Sequence, residues 1–209
     1  RVLFRSAFYI EGFEKNEGRM FIKRAEKCSK PVVVLKAGKS KKGIEAVSSH
    51  TASLAGDYRV FSQIMKQYCV AEAENEHELT SFCEALSCYP KGIRGNVGII
   101  SLSGGHGVLA ADACELYGIK IPVLERKTMD AIREKLSREI RDIVSLVNPM
   151  DLTGSSIDSD IVTSARHLSR DMNIDCILAL LIPYSPGVSA DIGAKLSQVA
   201  RNEGKPMIA

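Results

Sequence analysis

The sequence predicts an α/β protein of two lobes, each built on a parallel sheet. Short β-branched runs alternate with amphipathic helical stretches along the chain, and the connections between them are short. The alternation is interrupted once, by the aperiodic segment Tyr89-Pro90-Lys91-Gly92-Ile93-Arg94-Gly95, and then restarts. The lobes are therefore placed at residues 1–90 and 91–209.

In the first lobe, residues 7–10 read as a strand that ends at Glu11-Gly12. Residues 16–28 form a helix with Met20, Phe21 and Ala25 on its apolar stripe. Residues 31–35, Pro-Val-Val-Val-Leu, make a continuous apolar strand of the kind covered on both faces in a parallel sheet. A basic, glycine-containing loop covers residues 36–49 and turns helical near 43–47. A helix at 58–68, a short strand at 70–73 and a helix at 76–88 complete this lobe.

The second lobe opens with a strand at 96–102, a turn at Gly104-Gly105-His106-Gly107 and a helix at 108–117. Residues 120–124 are read as a short strand and 127–136 as a helix. Residues 148–154 form a loop, and a helix at 158–170 is capped from Ser155 and Ser156. A buried strand at 175–182, a helix at 188–202 and the start of a strand at 205–209 follow. There are no tandem repeats of solenoid period and no low-complexity tracts.

With 209 residues, 45% of them hydrophobic and 25% charged, the chain has the profile of a globular protein able to bury a core. A formal net charge of +3 with both signs interspersed argues against a nucleic-acid or membrane-surface partner. No apolar run approaches the roughly 20 residues of a membrane span, and nothing resembles a signal peptide. The chain opens on Arg1 rather than Met, which suggests that this is not its natural start. Cys28, Cys69, Cys83, Cys88, Cys114 and Cys176 form no Cys-x-x-Cys pair and no cluster with histidine. Buried, reduced thiols in a cytoplasmic protein are expected, and no metal site.

Three constellations could carry chemistry. In residues 101–112 a strand feeds a Gly-rich turn, Ser103-Gly104-Gly105-His106-Gly107, that opens an Ala-rich helix. The first turn of a helix has unpaired N–H groups and partial positive charge, so it receives phosphate or carboxylate. The spacing is neither the dinucleotide fingerprint nor a P-loop, and alone such a turn is as often structural as ligand-binding.

The second is His50, in Ser48-Ser49-His50-Thr51-Ala52-Ser53-Leu54-Ala55-Gly56. Small neighbours leave room around an imidazole that is neutral and nucleophilic near neutral pH. Taken alone, the run fits a merely exposed or hydrogen-bonded loop histidine better than a phosphoryl acceptor. The third is Glu11, at a strand's carboxyl end, where open α/β sheets place their ligand sites. A carboxylate there can accept from one imidazole nitrogen and leave the other as nucleophile; a solvated strand-end acid is the commoner outcome.

Four motifs occur in order: Lys30-Pro31-Val32-Val33-Val34-Leu35-Lys36-Ala37-Gly38-Lys39-Ser40, then His50-Thr51-Ala52-Ser53-Leu54-Ala55-Gly56, then residues 104–112, then Asn148-Pro149-Met150-Asp151-Leu152. Together they resemble the NDP-forming acyl-CoA synthetases (acetate–CoA ligase, ADP-forming), relatives of succinyl-CoA synthetase, from about Phe8 to the end of the chain. The resemblance implies two flavodoxin/Rossmann-like lobes with parallel sheets, and an acid–thiol ligase that works by a relay. Acyl-CoA and phosphate give an acyl phosphate, a histidine in a flexible loop is phosphorylated, and the phosphohistidine donates to ADP. In these enzymes the phospho form rests between two helix N-termini.

By this resemblance His50 is the phosphorylated histidine and Glu11 the acid that orients it. Ser103, Gly104, Gly105, His106 and Gly107 form one of the two phosphate-cradling helix starts. His106 departs from the usual Pro or Leu, and Ala52 and Ser53 from the usual Gly-Ala or Gly-Ser; backbone N–H contacts tolerate the first change. A phosphohistidine adds roughly two negative charges. One helix N-terminus stabilises such an anion by about 0.3–1 kcal/mol when exposed and up to about 2 kcal/mol when partly buried, enough to hold the group without trapping it. Lys36, Lys39, Lys41 and Lys42 either add positive potential near His50 or form a solvated basic face.

The resemblance further implies CoA and ATP/ADP with Mg2+ as ligands of the full enzyme. They are bound mainly by a CoA-binding domain and an ATP-grasp domain that these residues do not include. This stretch is thus expected to start after the first, to stop before the second, to hold no tightly bound cofactor and to be inactive in isolation. Its partners are those domains, fused or on another subunit, together with a small acyl substrate and phosphate. The alternative is a non-catalytic ligand-sensing module like those fused to protein acetyltransferases, which often lack the histidine; His50 favours the ligase. A generic flavodoxin-like binding domain leaves the ordered motifs unexplained.

Overall fold

The computed structural model describes residues 6–50, 56–182 and 184–209, with the His50 side chain set aside. The chain divides into two compact units, residues 1–92 and 93–209, each with its own sheet and core.

The first unit runs β1 (Ser6–Ile10), α1 (Glu17–Glu26), β2 (Val32–Lys36), α2 (Lys41–His50), α3 (Tyr58–Gln67), β3 (Ala71–Ala73) and α4 (Glu76–Cys88). Its three strands lie in the order β1-β2-β3, all parallel, with Tyr9 opposite Leu35 and Leu35 opposite Ala73. The Val-Val-Val-Leu-Lys run is the central strand and is buried along its whole length, which accounts for its lack of alternation. Ile10, Val32 and Val34 of the sheet pack with Ile22 of α1 and with Phe61 and Met65 of α3. Asp57 caps α3 by accepting from the Arg59 N–H at 2.7 Å, and Asn75 caps α4 through the Glu78 N–H at 2.9 Å.

Two sequence expectations change here. The inward face of α1 is Phe21, Ile22 and Ala25, while Met20 is 52% exposed. At 3.6 residues per turn, Met20 falls outside that face. The helical part of the basic segment is longer than residues 43–47: α2 runs from Lys41 to His50, and residues 37–40 remain a loop. Ser40 starts the helix: its side-chain oxygen accepts from the Gly43 N–H at 3.1 Å, and its carbonyl from the Ile44 N–H at 2.8 Å.

The second unit runs β4 (Val97–Ser101), α5 (Gly104–Leu116), α6 (Arg126–Lys135), β5 (Met150–Asp151), α7 (Asp158–Ser169), β6 (Cys176–Leu180), α8 (Ile192–Glu203) and β7 (Met207–Ile208). The sheet order is β5-β4-β6-β7, again all parallel. Ile100, Met150, Ile161, Leu168, Ile132 and Leu136 form the centre of its larger core, each with at most 1% of its surface exposed.

Here the structure corrects five expectations. The Gly104–Gly107 segment is the first turn of α5, with the Gly107 N–H donating to the Ser103 carbonyl at 3.0 Å. Residues 120–124 are not a strand, since Pro122 has no N–H for a ladder. Its carbonyl, together with that of Val97, instead accepts from the Asn148 amide at 3.0 and 2.9 Å. The 148–154 loop contains β5, a two-residue strand anchored by fully buried Met150. Helix α7 is capped not by serine but by Asp160, whose carboxylate accepts from the Ile157 N–H at 3.1 Å, because the Ser156 hydroxyl is bonded to the Leu152 carbonyl. Helix α8 begins at Ile192 rather than 188; the Ser189 N–H is held by Asp158 at 2.9 Å, and Val188 closes a turn on Ser185.

Of the six cysteines, all unpaired, only Cys114 and Cys176 are buried; Cys28, Cys69 and Cys88 are exposed because they fall at or beyond helix ends.

Candidate functional site

Candidate residues lie at the carboxyl ends of both sheets, where α/β sheets collect ligand sites. In the first unit, Glu11 is the residue immediately after β1 and is half-buried. The Tyr9 hydroxyl donates to its Oε1 at 3.4 Å. Beside it, Lys36 ends β2 with only 4% of its surface exposed. The Lys36 Nζ donates to the Glu11 carbonyl at 2.7 Å and also to the Ala37 carbonyl. Burial pulls the Lys36 pKa down from the ordinary lysine value, while the charges of Glu11 and Glu72 oppose that shift.

Of the four lysines of this region, Lys41 and Lys42 are exposed on α2, while the other two are engaged. Lys36 is buried, and Lys39 pairs with Glu74 at 2.9 Å with its Nζ 5.2 Å from the Tyr58 ring centre. Lys42 pairs with Glu45 at 2.6 Å on the exposed side of α2. The backbone of His50 is the last residue of α2; its side chain and residues 51–55 lie outside the described residues.

In the second unit, β4 runs through Leu102 into Ser103, the N-cap of α5. The Ser103 side chain makes no capping hydrogen bond. Its backbone is held instead by fully buried Ser101, whose hydroxyl donates to the Ser103 carbonyl at 2.6 Å and accepts from the Ser103 N–H at 3.1 Å. The opening N–H groups of α5 are therefore left without a side-chain cap from their own N-cap residue. Gly104, Gly105 and His106 are exposed, and Gly107 is buried.

Of the two glycines at the ends of this turn, Gly104 is crowded, while Gly107 has room for a β-carbon in ordinary contact. A β-carbon on Gly104 would lie 2.8 Å from Asp151 Oδ2, and one on Gly107 would lie 3.4 Å from the Pro149 β-carbon. A cleft of about 340 Å³ runs alongside, lined by Ser101, Gly104, Gly107, Ser145, Met150 and Asp151. Asp151, at the end of β5, has its other oxygen fixed by the Thr153 N–H at 2.9 Å. In the sequence Asp151 is one member of a motif with no role of its own; its place beside Gly104 depends on β5 pairing with β4. The same holds for Asn148, whose side chain accepts from the Ile99 N–H at 2.9 Å and continues the sheet where β5 is too short.

Chemically, the α5 start suits an oxyanion approached by backbone donors, and the Glu11 end offers a carboxylate on a well-anchored strand. Among the described residues no group of three or more His, Cys, Asp or Glu gathers at one place. Glu11 and His50 belong to one unit and Ser103 to Gly107 to the other.

Residues 6–86 match the family model of the succinyl-CoA ligase like flavodoxin domain. The chain is 40% identical, over 84% of its length, to acetate–CoA ligase [ADP-forming] I of Archaeoglobus fulgidus, of which it covers 25%. It is 36% identical, over 97% of its length, to the acetate–CoA ligase [ADP-forming] II subunit alpha of Pyrococcus furiosus, of which it covers 44%. Among solved structures, the dinucleotide-forming acetyl-coenzyme A synthetase 1 of Candidatus Korarchaeum cryptofilum, in complex with phosphate and ADP, superposes with a TM-score of 0.79 at 24% identity. That match covers 97% of this chain and 44% of the other, and it supports the fold. The chain thus spans a quarter to less than half of the length of these relatives.

Proposed function

We propose, from the premise that this chain belongs in its ligase domains to the NDP-forming acyl-CoA synthetases, that it forms the phosphoryl-relay part of an ADP-forming acyl-CoA synthetase. The reaction converts acyl-CoA, ADP and phosphate to carboxylate, CoA and ATP. A phosphate oxygen attacks the thioester carbonyl, a C–O bond replaces the C–S bond, and CoA leaves as the thiol. The P–O bond of the resulting acyl phosphate breaks as an N–P bond forms at His50, releasing the carboxylate. The N–P bond then breaks as a terminal oxygen of ADP takes the phosphoryl group.

In this reading Glu11 accepts a hydrogen bond from the imidazole nitrogen that does not attack, which fixes the tautomer and raises the basicity of the other nitrogen. The first turn of α5, from Ser103 to Gly107, receives phosphate through its N–H groups, with negative charge favoured by the helix dipole. The observation that carries the reading is this helix start, whose N-cap side chain makes no cap and at whose Gly104 a β-carbon would press on the Asp151 carboxylate. CoA, ADP and Mg2+ are held mainly by the CoA-binding and ATP-grasp domains of the whole enzyme, on the same chain or a partner subunit. Six unpaired thiols suit the reducing cytoplasm as the place where it works.

The test uses the full-length protein and a panel of acyl-CoA thioesters, with release of free CoA thiol followed in the presence of ADP and phosphate. Sustained release over many turnovers that requires both co-substrates, and falls by about a hundredfold or more in His50→Ala, supports the relay. Release that continues well beyond one equivalent per enzyme after the substitution, or without ADP or phosphate on every thioester, contradicts it.

A further inference from the structure

Lys36 is an expensive residue for its place. It closes the central strand of the first sheet, all of whose residues are buried, and an apolar side chain would fill the same space without the cost of taking an ammonium out of water. Its neighbours show what it does there. The last ladder pair between β1 and β2 is Ile10 with Lys36, followed by the Ala37 N–H donating to the Ile10 carbonyl at 2.9 Å. Glu11 is thus the first residue beyond the ladder. The Lys36 Nζ meets its carbonyl at 2.7 Å and takes the Ala37 carbonyl as a second acceptor. One ammonium therefore ties together the outgoing ends of two adjacent strands.

The surroundings hold that ammonium in place. Its Nζ lies 5.9 Å from the ring centre of Phe61, a core residue of α3 that stacks on Phe13. A hydrogen bond to a charged donor in a site with little water is stronger than one between neutral groups. The Glu11 carbonyl, one residue beyond the last ladder pair, is thus held by a charged donor.

We infer that Lys36 is a positioning residue for the relay: its buried ammonium fixes the backbone at Glu11 so that the carboxylate meets the imidazole in a productive geometry. This rests on the reading of Glu11 as the acid that orients His50. In this role Lys36 acts through the Glu11 backbone, as a positioning residue and not as a group that takes part in the transfer.

The experiment is a mutant cycle on the full-length protein, read as the single-turnover rate of acid-labile label entering the His50 peptide from γ-labelled ATP. The proteins compared are wild type, Lys36→Met, Glu11→Gln and the double variant, with the apparent KM for ATP measured beside the rate. Lys36→Met is expected to slow labelling about tenfold or more, as small misplacements of catalytic groups do. The KM should stay within about twofold, and in the Glu11→Gln background the same change should cost less than about twofold further, the mark of two residues acting as one unit. Lys36→Arg, which keeps the charge and the donors, should recover most of the rate.

Labelling by Lys36→Met at the wild-type rate, or an equal slowing with and without Glu11, overturns the inference and leaves the relay standing. If Glu11→Gln itself labels at the wild-type rate, the assignment of Glu11 fails and the inference falls with it. Should Lys36→Met not fold, Lys36→Gln, a smaller change that keeps a donor, closes the same cycle with the same two outcomes.

Discussion

Gly104 sets the tolerance of the α5 start. A β-carbon at this position would sit only 2.8 Å from Asp151 Oδ2, so even alanine forces either the helix turn or the carboxylate to move. Gly104→Ala is expected to lower the labelling of His50 in the full-length protein by about tenfold or more, because the backbone donors shift relative to the anion. Unchanged labelling would show that this turn does not hold the phosphoryl group. The residue scale is also where the sequence was most unevenly legible. Glu11 could be picked out as a candidate because an apolar strand stops at it, and Gly104 because a strand runs into a glycine pair. Lys36 and Asp151 could not be weighted, since burial of an ammonium and approach of a carboxylate to a helix start are products of strand pairing. His50 could be singled out only through the company of the other motifs.

At the scale of elements, helix α7 is tied to the loop before α8 by Asp158. Its carboxylate accepts from the Ser189 N–H at 2.9 Å and from the Lys195 Nζ at 2.6 Å, with the Ser189 hydroxyl as a further donor. Burial alone would raise the Asp158 pKa, but these hydrogen bonds and the Lys195 charge bring it down to about 2 from an ordinary 3.8. A depressed carboxylate pKa contributes stability above the unfolded value, and that contribution is lost as pH falls from 3.8 through about 2. Asp158→Asn is therefore expected to be less stable than wild type near neutral pH, with the difference shrinking across that acidic window; denaturant melts at several pH values measure it. A difference that stays constant down to pH 2 contradicts the assignment. Among the elements, β2 and β4 were readable as unbroken apolar runs. Strand β5 was not, being two residues defined by pairing alone, and the strand expected at 120–124 was lost to Pro122. The Ser40 cap of α2 was available in the sequence, three residues before Gly43.

At the scale of the whole molecule, each unit has its own sheet and its own buried cluster, and the division falls between Gly92 and Ile93. Lys91 and Arg94 are exposed there. Limited trypsin digestion should cut this stretch first and leave two resistant fragments that mass spectrometry places on either side of residues 91–94; early cuts inside either sheet would contradict independent cores. Two-lobe organisation could be read from the sequence because a Pro/Gly/charge segment breaks the periodicity once. The chain covers 44% of the Pyrococcus furiosus subunit to which it is similar. The relay is the central claim, and it is most directly tested by a site-mapped phosphorylation experiment. The full-length protein is incubated briefly with γ-labelled ATP, digested at alkaline pH, and the labelled peptide identified. The account expects one acid-labile, alkali-stable label on the peptide that contains His50, absent from His50→Ala. Label on another residue, or label that persists in His50→Ala, contradicts it.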